Sequence, residues 1–258
     1  MITLVISLAN AEDRRRELVP RMEAAGLDYR FIDAVLGKAL SAHEVRRAAP
    51  NLFMPRYARD LTPGEIGCSL SHKLALETFL RSGEETALIL EDDAAVPPNI
   101  RAVISEIAHG LPSDWGLLKL GGTGSVRGRF HSKTSCGSVI NTATATLDSH
   151  AYVVSRIGAE RLLRRLLPIV FPYDVFLRDV HTHGATTFEL VPSFISTPDA
   201  KGSQIAGERQ TSPRRSTLLN GPALMFWRLR HELRRRVYVF RRFGMKAAAS
   251  PSRMTSFR

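Results

Sequence analysis

Thr86-Ala-Leu-Ile-Leu-Glu-Asp-Asp93 is the stretch whose reading decides the fold. The apolar run Thr86–Leu90 stops abruptly in three adjacent acids, the pattern of a buried strand that ends at the surface. In an open α/β sheet the carboxyl ends of the strands are where ligands bind. Carboxylates packed side by side repel one another unless a cation or an arginine compensates them. A hard divalent metal takes carboxylate oxygen, and Mg²⁺ or Mn²⁺ is held by one or two carboxylates together with substrate phosphates. Glu91-Asp92-Asp93 therefore reads as a metal–nucleotide site. Taken alone, its bland alternative is a solvated acidic turn before Pro97-Pro98.

The flanking segments alternate between strand and helix patterns. Residues 2–8 are rich in Ile, Leu and Val and read as a first, central strand. A helix follows, capped by Asn10 and closed by Gly26, and then a second strand, Tyr29–Asp33. Ser41 caps a short helix to Ala49, and residues 50–61 look irregular. Thr62-Pro63-Gly64-Glu65 has Thr at the N-cap, Pro at N1 and Glu at N3, a capping box that opens a helix to Arg81. After the acid-tipped strand come a helix over Asn99–His109, a strand over Trp115–Leu120 and a loop over Gly121–Ser135. An extended stretch over Gly137–Leu147, a strand over Ala151–Val154 and a helix over Ile157–Leu167 follow. Phe176–His183 reads as a further helix and Thr187–Val191 as the last strand. The expected fold class is α/β with a mainly parallel or mixed sheet. Neither GxGxxG nor GxxxxGK[ST] is present, so neither the dinucleotide nor the P-loop fingerprint applies.

Composition sets the remaining bounds. A chain of 258 residues that is 44% hydrophobic has enough material for one large core. Met1–Leu8 is too short for a secretory signal and lacks its basic start, and no run reaches the roughly 20 apolar residues of a membrane span. Cys68 and Cys136 are too few for a disulfide framework or a thiolate zinc site, and the chain reads as cytosolic. From Lys201 onward there are 14 Lys/Arg against two acids, whereas the first 200 residues hold 22 basic and 23 acidic groups. A neutral domain (1–200), a linker (201–221) and a cationic tail (222–258) follow from that asymmetry. In the tail, Phe226, Leu229, Leu233, Val237 and Phe240 share one helical face framed by arginine. That pattern fits a helix lying on an anionic membrane surface, or one packed on its own domain with a solvated basic face. No nucleic-acid-binding motif accompanies the tail, and no nucleic-acid partner is expected.

Leu61-Thr-Pro-Gly-Glu-Ile-Gly-Cys-Ser-Leu-Ser-His72 resembles the motif of glycosyltransferase family 25, the lipopolysaccharide-core and procollagen galactosyltransferase group. Ile6-Ser-Leu8 with Asp13-Arg14 is similar to the family's opening block, and Phe31-Ile-Asp-Ala34 with Gly37 to its second strand. Ala87–Asp93 is similar to its acidic strand end, Ala151-Tyr152 with Ser155, Gly158 and Ala159 to its next block, and Pro172-Tyr-Asp174 to its Pro-x-Asp. The resemblance spans roughly residues 1–191; Asp148-Ser-His150 stands where the family has glycine before Ala-Tyr, and the basic tail falls outside it.

The resemblance implies a GT-A-like nucleotide-sugar-binding fold and inverting sugar transfer from a UDP-sugar, most readily UDP-galactose. The acceptor would be an anionic glycolipid, a lipopolysaccharide or lipooligosaccharide core, reached from the inner face of a bacterial inner membrane. A divalent metal, Mn²⁺ or Mg²⁺, would be held by Asp93 directly and by Asp92 as a second ligand, or else Asp92 would contact ribose or water, with Glu91 structural; His150, from the residues alone, could be a further ligand. Such a cation stabilises the departing diphosphate. Asp174 would be the base that takes the acceptor proton, its pKa raised by the apolar run before it; the alternative is an N-cap for Phe176–His183. Asp13 and Arg14 would contact base, ribose or diphosphate, or else form a surface ion pair. Ser71 and His72 would contact sugar or diphosphate, although a helix histidine on its own is more often structural. His181 and His183 lack acids or cysteines at ligand spacing and are read as structural. Two other classes compete: a non-catalytic binding protein on a degenerate transferase domain, and a metal phosphohydrolase, which leaves Glu65–His72 unexplained.

Overall fold

A computed structural model describes residues 1–54, 56–57, 59–197, 207–209, 221–244 and 255–257. Strand β5 (Thr86–Glu91) is the spine of the molecule: Ala87, Leu88, Ile89 and Leu90 have no solvent exposure. A strand apolar on both sides must be covered on both faces. Leu88 and Leu90 pack with Leu18 and Met22 of α1 (Glu12–Ala24) and with Ile100, Val103, Ile104 and Ile107 of α4 (Ile100–Gly110). Ala87 and Ile89 face the other way, toward Ala75, Leu76 and Phe79 of α3 (Pro63–Arg81) and Ala159, Leu162 and Leu166 of α5 (Arg156–Leu166). The result is a three-layer α/β/α arrangement, each buried aliphatic side chain contributing about 2 kcal/mol.

The sheet is mixed, as expected. Strands β1 (Ile2–Ser7) and β2 (Tyr29–Asp33) run parallel to β5 in the order β5-β1-β2. On the other side β9 (Ala151–Ser155) lies antiparallel between β5 and β6 (Trp115–Lys119). Beyond it come β10 (Thr186–Val191), β8 (Gly137–Thr144), β7 (Val126–Thr134) and β11 (Thr255–Phe257). A two-stranded ribbon of β3 (Phe53–Met54) and β4 (Arg59–Asp60) stands apart, where residues 50–61 were expected to be irregular.

Three other expectations differ from the structure. The stretch 121–135 is a loop only at its start: β7 pairs with β8 from Arg127 to Thr134, its Gly and charged residues tolerated because that end of the sheet is partly exposed. Asn10 does not cap α1, whose N-cap residue is Ala11 with no side-chain bond. Helix α6 (Tyr173–Arg178) begins behind Pro172, so Asp174 lies inside its first turn and is not its N-cap. The capping box of α3 is present in both halves, and α2 (Ala42–Ala48) carries a second, from Ser41 and Glu44.

The expected linker, 201–221, lies mostly outside the described residues; residues 207–209 lie against the site described below. The basic segment forms α7 (Gly221–Phe243), which packs on the sheet through Val239 and Phe243 against Ala143. His231 pairs with Asp179 at 3.3 Å, and Arg242 with Asp114 at 3.4 Å.

Candidate active site

Strands β1, β2 and β5 end together, and a cavity of about 530 Å³ opens at their carboxyl ends. Its walls include Ser7, Asp13, Arg14, Ser71, His72, Glu91, Asp92, Asp93 and Glu208, so the six sequence-predicted residues other than Asp174 gather in one place. The loop after β2 reaches this wall by close backbone approach. A Cβ on Gly67 of α3 would lie 2.5 Å from the Val35 carbonyl oxygen, and one on Gly37 would lie 1.8 Å from that of Pro63. Only glycine lets loop and helix touch there. Ser71 completes the seam: its hydroxyl accepts from the Val35 N–H at 2.8 Å and donates to the Gly67 carbonyl at 2.7 Å. That hydroxyl is engaged by the fold itself.

The acids divide by role. Glu91 accepts from Ser149 Oγ at 2.6 Å and lies 3.2 Å from His72 Nε2. Burial pushes its carboxyl up, but the His72 and Ser149 hydrogen bonds outweigh this and hold it below the usual range. His72 is itself fully buried, with Nδ1 3.0 Å from the Tyr152 hydroxyl and its ring stacked on Tyr173 at 4.0 Å. The Tyr152 and Tyr173 hydroxyls meet at 3.0 Å. With both ring nitrogens engaged, His72 orients Glu91 and is not free to bind a ligand in this geometry. Asp92 pairs with Arg14 at 3.1 Å, whereas Asp13 pairs with Arg16 on the open surface.

Asp93 is different. Its Oδ1 is buried with no hydrogen-bond partner, and its carboxyl is pushed up to about 6, by burial first and then by the charges of Glu91 and Asp92. The Nδ1 of His150 is likewise buried and unpartnered, while its Nε2 donates to the Ile195 carbonyl at 3.0 Å and its own carbonyl accepts from Glu91 N–H. A crowded, unsatisfied carboxylate oxygen beside two further acids is a donor set that fits a hard dication. A second grouping, Cys68, His72 and Glu91, brings possible ligand atoms within 4.8 Å of one another. It fits a metal poorly, because both ring nitrogens of His72 and the Glu91 carboxylate already hold partners within the fold.

Asp174 is not part of the cavity wall. Its carboxylate faces Arg209 at 3.1 Å, in place of the apolar setting expected from Ile169–Tyr173. Arg209 also donates to Glu65 at 2.8 Å, and Glu65, fully buried, takes two further bonds from Arg59. Glu208 accepts from the Gly64 N–H at 2.9 Å and pairs with Lys38. Sequence reading gave no role to Ser149, Tyr152, Tyr173 or Arg209. Two of these stand in the quoted blocks Ala151-Tyr152 and Pro172-Tyr-Asp174, and Ser149 stands in Asp148-Ser-His150, where the chain departs from the family's glycine; Arg209 carried no signal that a linear pattern would reveal.

A cavity at the carboxyl ends of parallel strands, with acids at its rim, is that of an α/β ligand-binding domain. The chain belongs to glycosyltransferase family 25: the family described as "Glycosyltransferase family 25 (LPS biosynthesis protein)" matches residues 1–177. It is 29% identical over 186 residues to procollagen galactosyltransferase 1 of Danio rerio, covering 67% of this chain and 30% of that protein. It is 29% identical over 177 residues to the "Probable inactive glycosyltransferase 25 family member 3" of Bos taurus, covering 64% and 30%. The chain thus spans about a third of the length of these curated relatives. A structure described as a "putative nucleotide-diphospho-sugar transferase" from Desulfovibrio desulfuricans matches 73% of this chain and 78% of its own at 9% identity, with a TM-score of 0.35.

Proposed function

We propose that this chain is a metal-dependent, inverting glycosyltransferase on a GT-A-like fold, moving a sugar, galactose first among candidates, from a UDP-sugar to an anionic lipopolysaccharide or lipooligosaccharide core. It would work in the cytoplasm, at the inner face of a bacterial inner membrane. The observation that carries the reading is the unpartnered Oδ1 of Asp93 at the strand ends, inside a cavity sized for a nucleotide. Asp93 and Asp92 would hold the cation, Mn²⁺ or Mg²⁺, which when bound supplies charge stabilisation to the leaving diphosphate. Glu91, fixed by His72 and Ser149, sets the position of the two acids that follow it. Arg14, beside Asp92, offers a guanidinium to donor phosphate, and Asp13 at the start of α1 faces the ribose side. His72 and Ser71 shape the wall against which the sugar rests. Asp174 takes the acceptor proton once Arg209 turns away from it.

Calorimetry of UDP and UDP-galactose with Mn²⁺ and with EDTA, on wild type and Asp93→Ala, tests this. Metal-dependent binding that the variant loses supports the reading; no binding of either ligand with metal present overturns it. One relative carries "inactive" in its name, and the clasp of Arg209 on Asp174 favours a second reading, a donor-binding domain without turnover. Donor binding without sugar transfer to any core acceptor would select it.

A further inference from the structure

Helix α7 presents two unlike faces. At about 100° per residue, Trp227, His231, Arg235, Tyr238, Arg242 and Phe243 turn inward. Trp227 and His231 stack at 4.9 Å, the His231 ring meets His181 edge-on at 4.4 Å, and Arg129 donates to the Phe243 carbonyl. The apolar stripe seen in the sequence is not the side that packs. Phe226 is 66% exposed, Leu229 67%, Leu233 60% and Phe240 51%. Six large apolar side chains stand in water along one helix, counting Met225 and Val237. Scattered exposed leucines are ordinary, but a contiguous row of this kind marks an interaction surface.

The charge beside that row identifies the partner. Arg230, Arg234 and Arg241 line one edge of the stripe, and among the described residues they make no salt bridge. Across a cleft of about 810 Å³, Arg164 and Arg165 of α5 face them, with Leu167 and Val170 half exposed between. Apolar side chains flanked by guanidiniums, of which only Arg164 has an acidic neighbour (Glu160 at 3.8 Å), suit a medium that is apolar within and anionic at its surface. A protein partner would need a matching acidic, apolar groove; a bilayer containing anionic lipid supplies both properties along the helix's length of about 35 Å. No described helix is long and apolar enough to cross a membrane.

We propose that the outer face of α7 seats this chain on an anionic lipid bilayer, with Phe226, Leu229, Leu233 and Phe240 entering the headgroup boundary and Arg230, Arg234 and Arg241 meeting lipid phosphate. Because the inner face of α7 is fixed to the domain by His231–Asp179 and Arg242–Asp114, the bilayer lies in a set orientation to the cavity. The inference names the surface on which a lipid-linked acceptor would be met, and to that extent rests on the function proposed above. Its test involves neither donor nor turnover, so the two fail separately.

The experiment is co-sedimentation of the full chain with phosphatidylcholine vesicles, and with vesicles containing phosphatidylglycerol, at low and high salt. Wild type is expected to pellet with the anionic vesicles, less so as salt rises, and to stay in solution with the neutral ones. Arg230→Gln/Arg234→Gln/Arg241→Gln lowers partitioning about 100-fold. Phe226→Ser/Leu229→Ser/Leu233→Ser abolishes pelleting while circular dichroism and the thermal melting temperature stay as in wild type, since these side chains are exposed. Wild type left in solution with anionic vesicles, or an arginine variant that pellets undiminished, overturns the proposal. So does a concentration-dependent dimer that the serine variant loses, because the face would then belong to a second copy. Should either variant fail to fold, the lipid and salt dependence of wild type decides alone.

Discussion

One guanidinium nitrogen of Arg209 meets both carboxylate oxygens of Asp174, at 3.2 and 3.1 Å, while Nε of the same side chain donates to Glu65 at 2.8 Å. Arg209 thereby ties the first turn of α6 to the first turn of α3. An acid engaged in this way can meet an acceptor hydroxyl only after its partner moves. Asp174→Asn is expected to lower kcat by about 100-fold or more, the size of a lost general base, with UDP-sugar affinity unchanged. Steady-state kinetics beside calorimetry checks this. Lost affinity with unchanged kcat would make Asp174 an anchor for Arg209 and not a base.

Asp93 sets function against stability. Its carboxylate is crowded by Glu91 and Asp92, and its buried Oδ1 has no hydrogen-bond donor. Asp93→Asn removes the charge and keeps the volume, so it should stabilise the apo protein by about 1–2 kcal/mol while eliminating Mn²⁺-dependent donor binding. Urea denaturation in EDTA gives the first quantity and calorimetry the second. A destabilised variant would mean that Asp93 has a structural partner.

His183 makes stability depend on pH on the acid side. Its ring is buried, Nε2 donating to the Leu177 carbonyl at 3.3 Å and Nδ1 accepting from the Ala185 N–H at 3.1 Å. The neutral tautomer satisfies both contacts and a second proton breaks one. Burial pushes the group down from 6.5 to about 4. Between those values the unfolded chain binds a proton that the folded one refuses, so stability is whole above about pH 6.5 and falls as pH drops toward 4. His181, also pushed down to about 4 by burial, adds to the same limb. Thermal melts from neutral pH downward should show this decline, and His183→Asn should shallow it. An unchanged slope would assign the decline to other groups.

Gly67→Ala probes the seam between α3 and the loop after β2. The added methyl would press on the Val35 carbonyl oxygen and the backbone of Gly37, neither of which is a flexible side-chain end. A loss of about 2–3 kcal/mol is expected, with weaker donor binding because Val35–Gly37 line the cavity. Gly83→Ala, at φ +78 with nothing near its Cβ, is the control: it should cost backbone strain of about 1 kcal/mol and leave binding alone.

Much of this was legible in the residues. The run Ala87–Leu90 announced a strand covered on both faces, and Thr62-Pro-Gly-Glu65 announced the start of α3, because burial and capping are local patterns. The convergence of Asp13, Arg14, Ser71, His72, Asp92 and Asp93 followed from their places at strand ends and on α3. What each side chain does there was not legible. His72 is engaged by Tyr152, 80 residues away, and Asp174 by Arg209. Such pairings depend on how distant elements meet, and no periodicity encodes them. The stripe of α7 shows the limit plainly: spacing revealed the face, and only packing revealed that it points outward.

Strand β9 runs against its neighbours β5 and β6, so its entry lies beside the exit of β5, and Leu90 pairs with Ala151. The segment before β9 thus reaches the end of β5 from behind, while the cavity wall itself comes from α1, the loop after β2, α3 and the end of β5. Ser149 and His150 belong to the long excursion between β6 and β9, so a change of content there is felt at the end of β5, through the Ser149 hydroxyl on Glu91 and the His150 carbonyl on the Glu91 N–H. The antiparallel insertion makes the acid-bearing strand end answer to two distant parts of the chain. A segment far away in the chain can thereby tune the acids without lining the pocket itself.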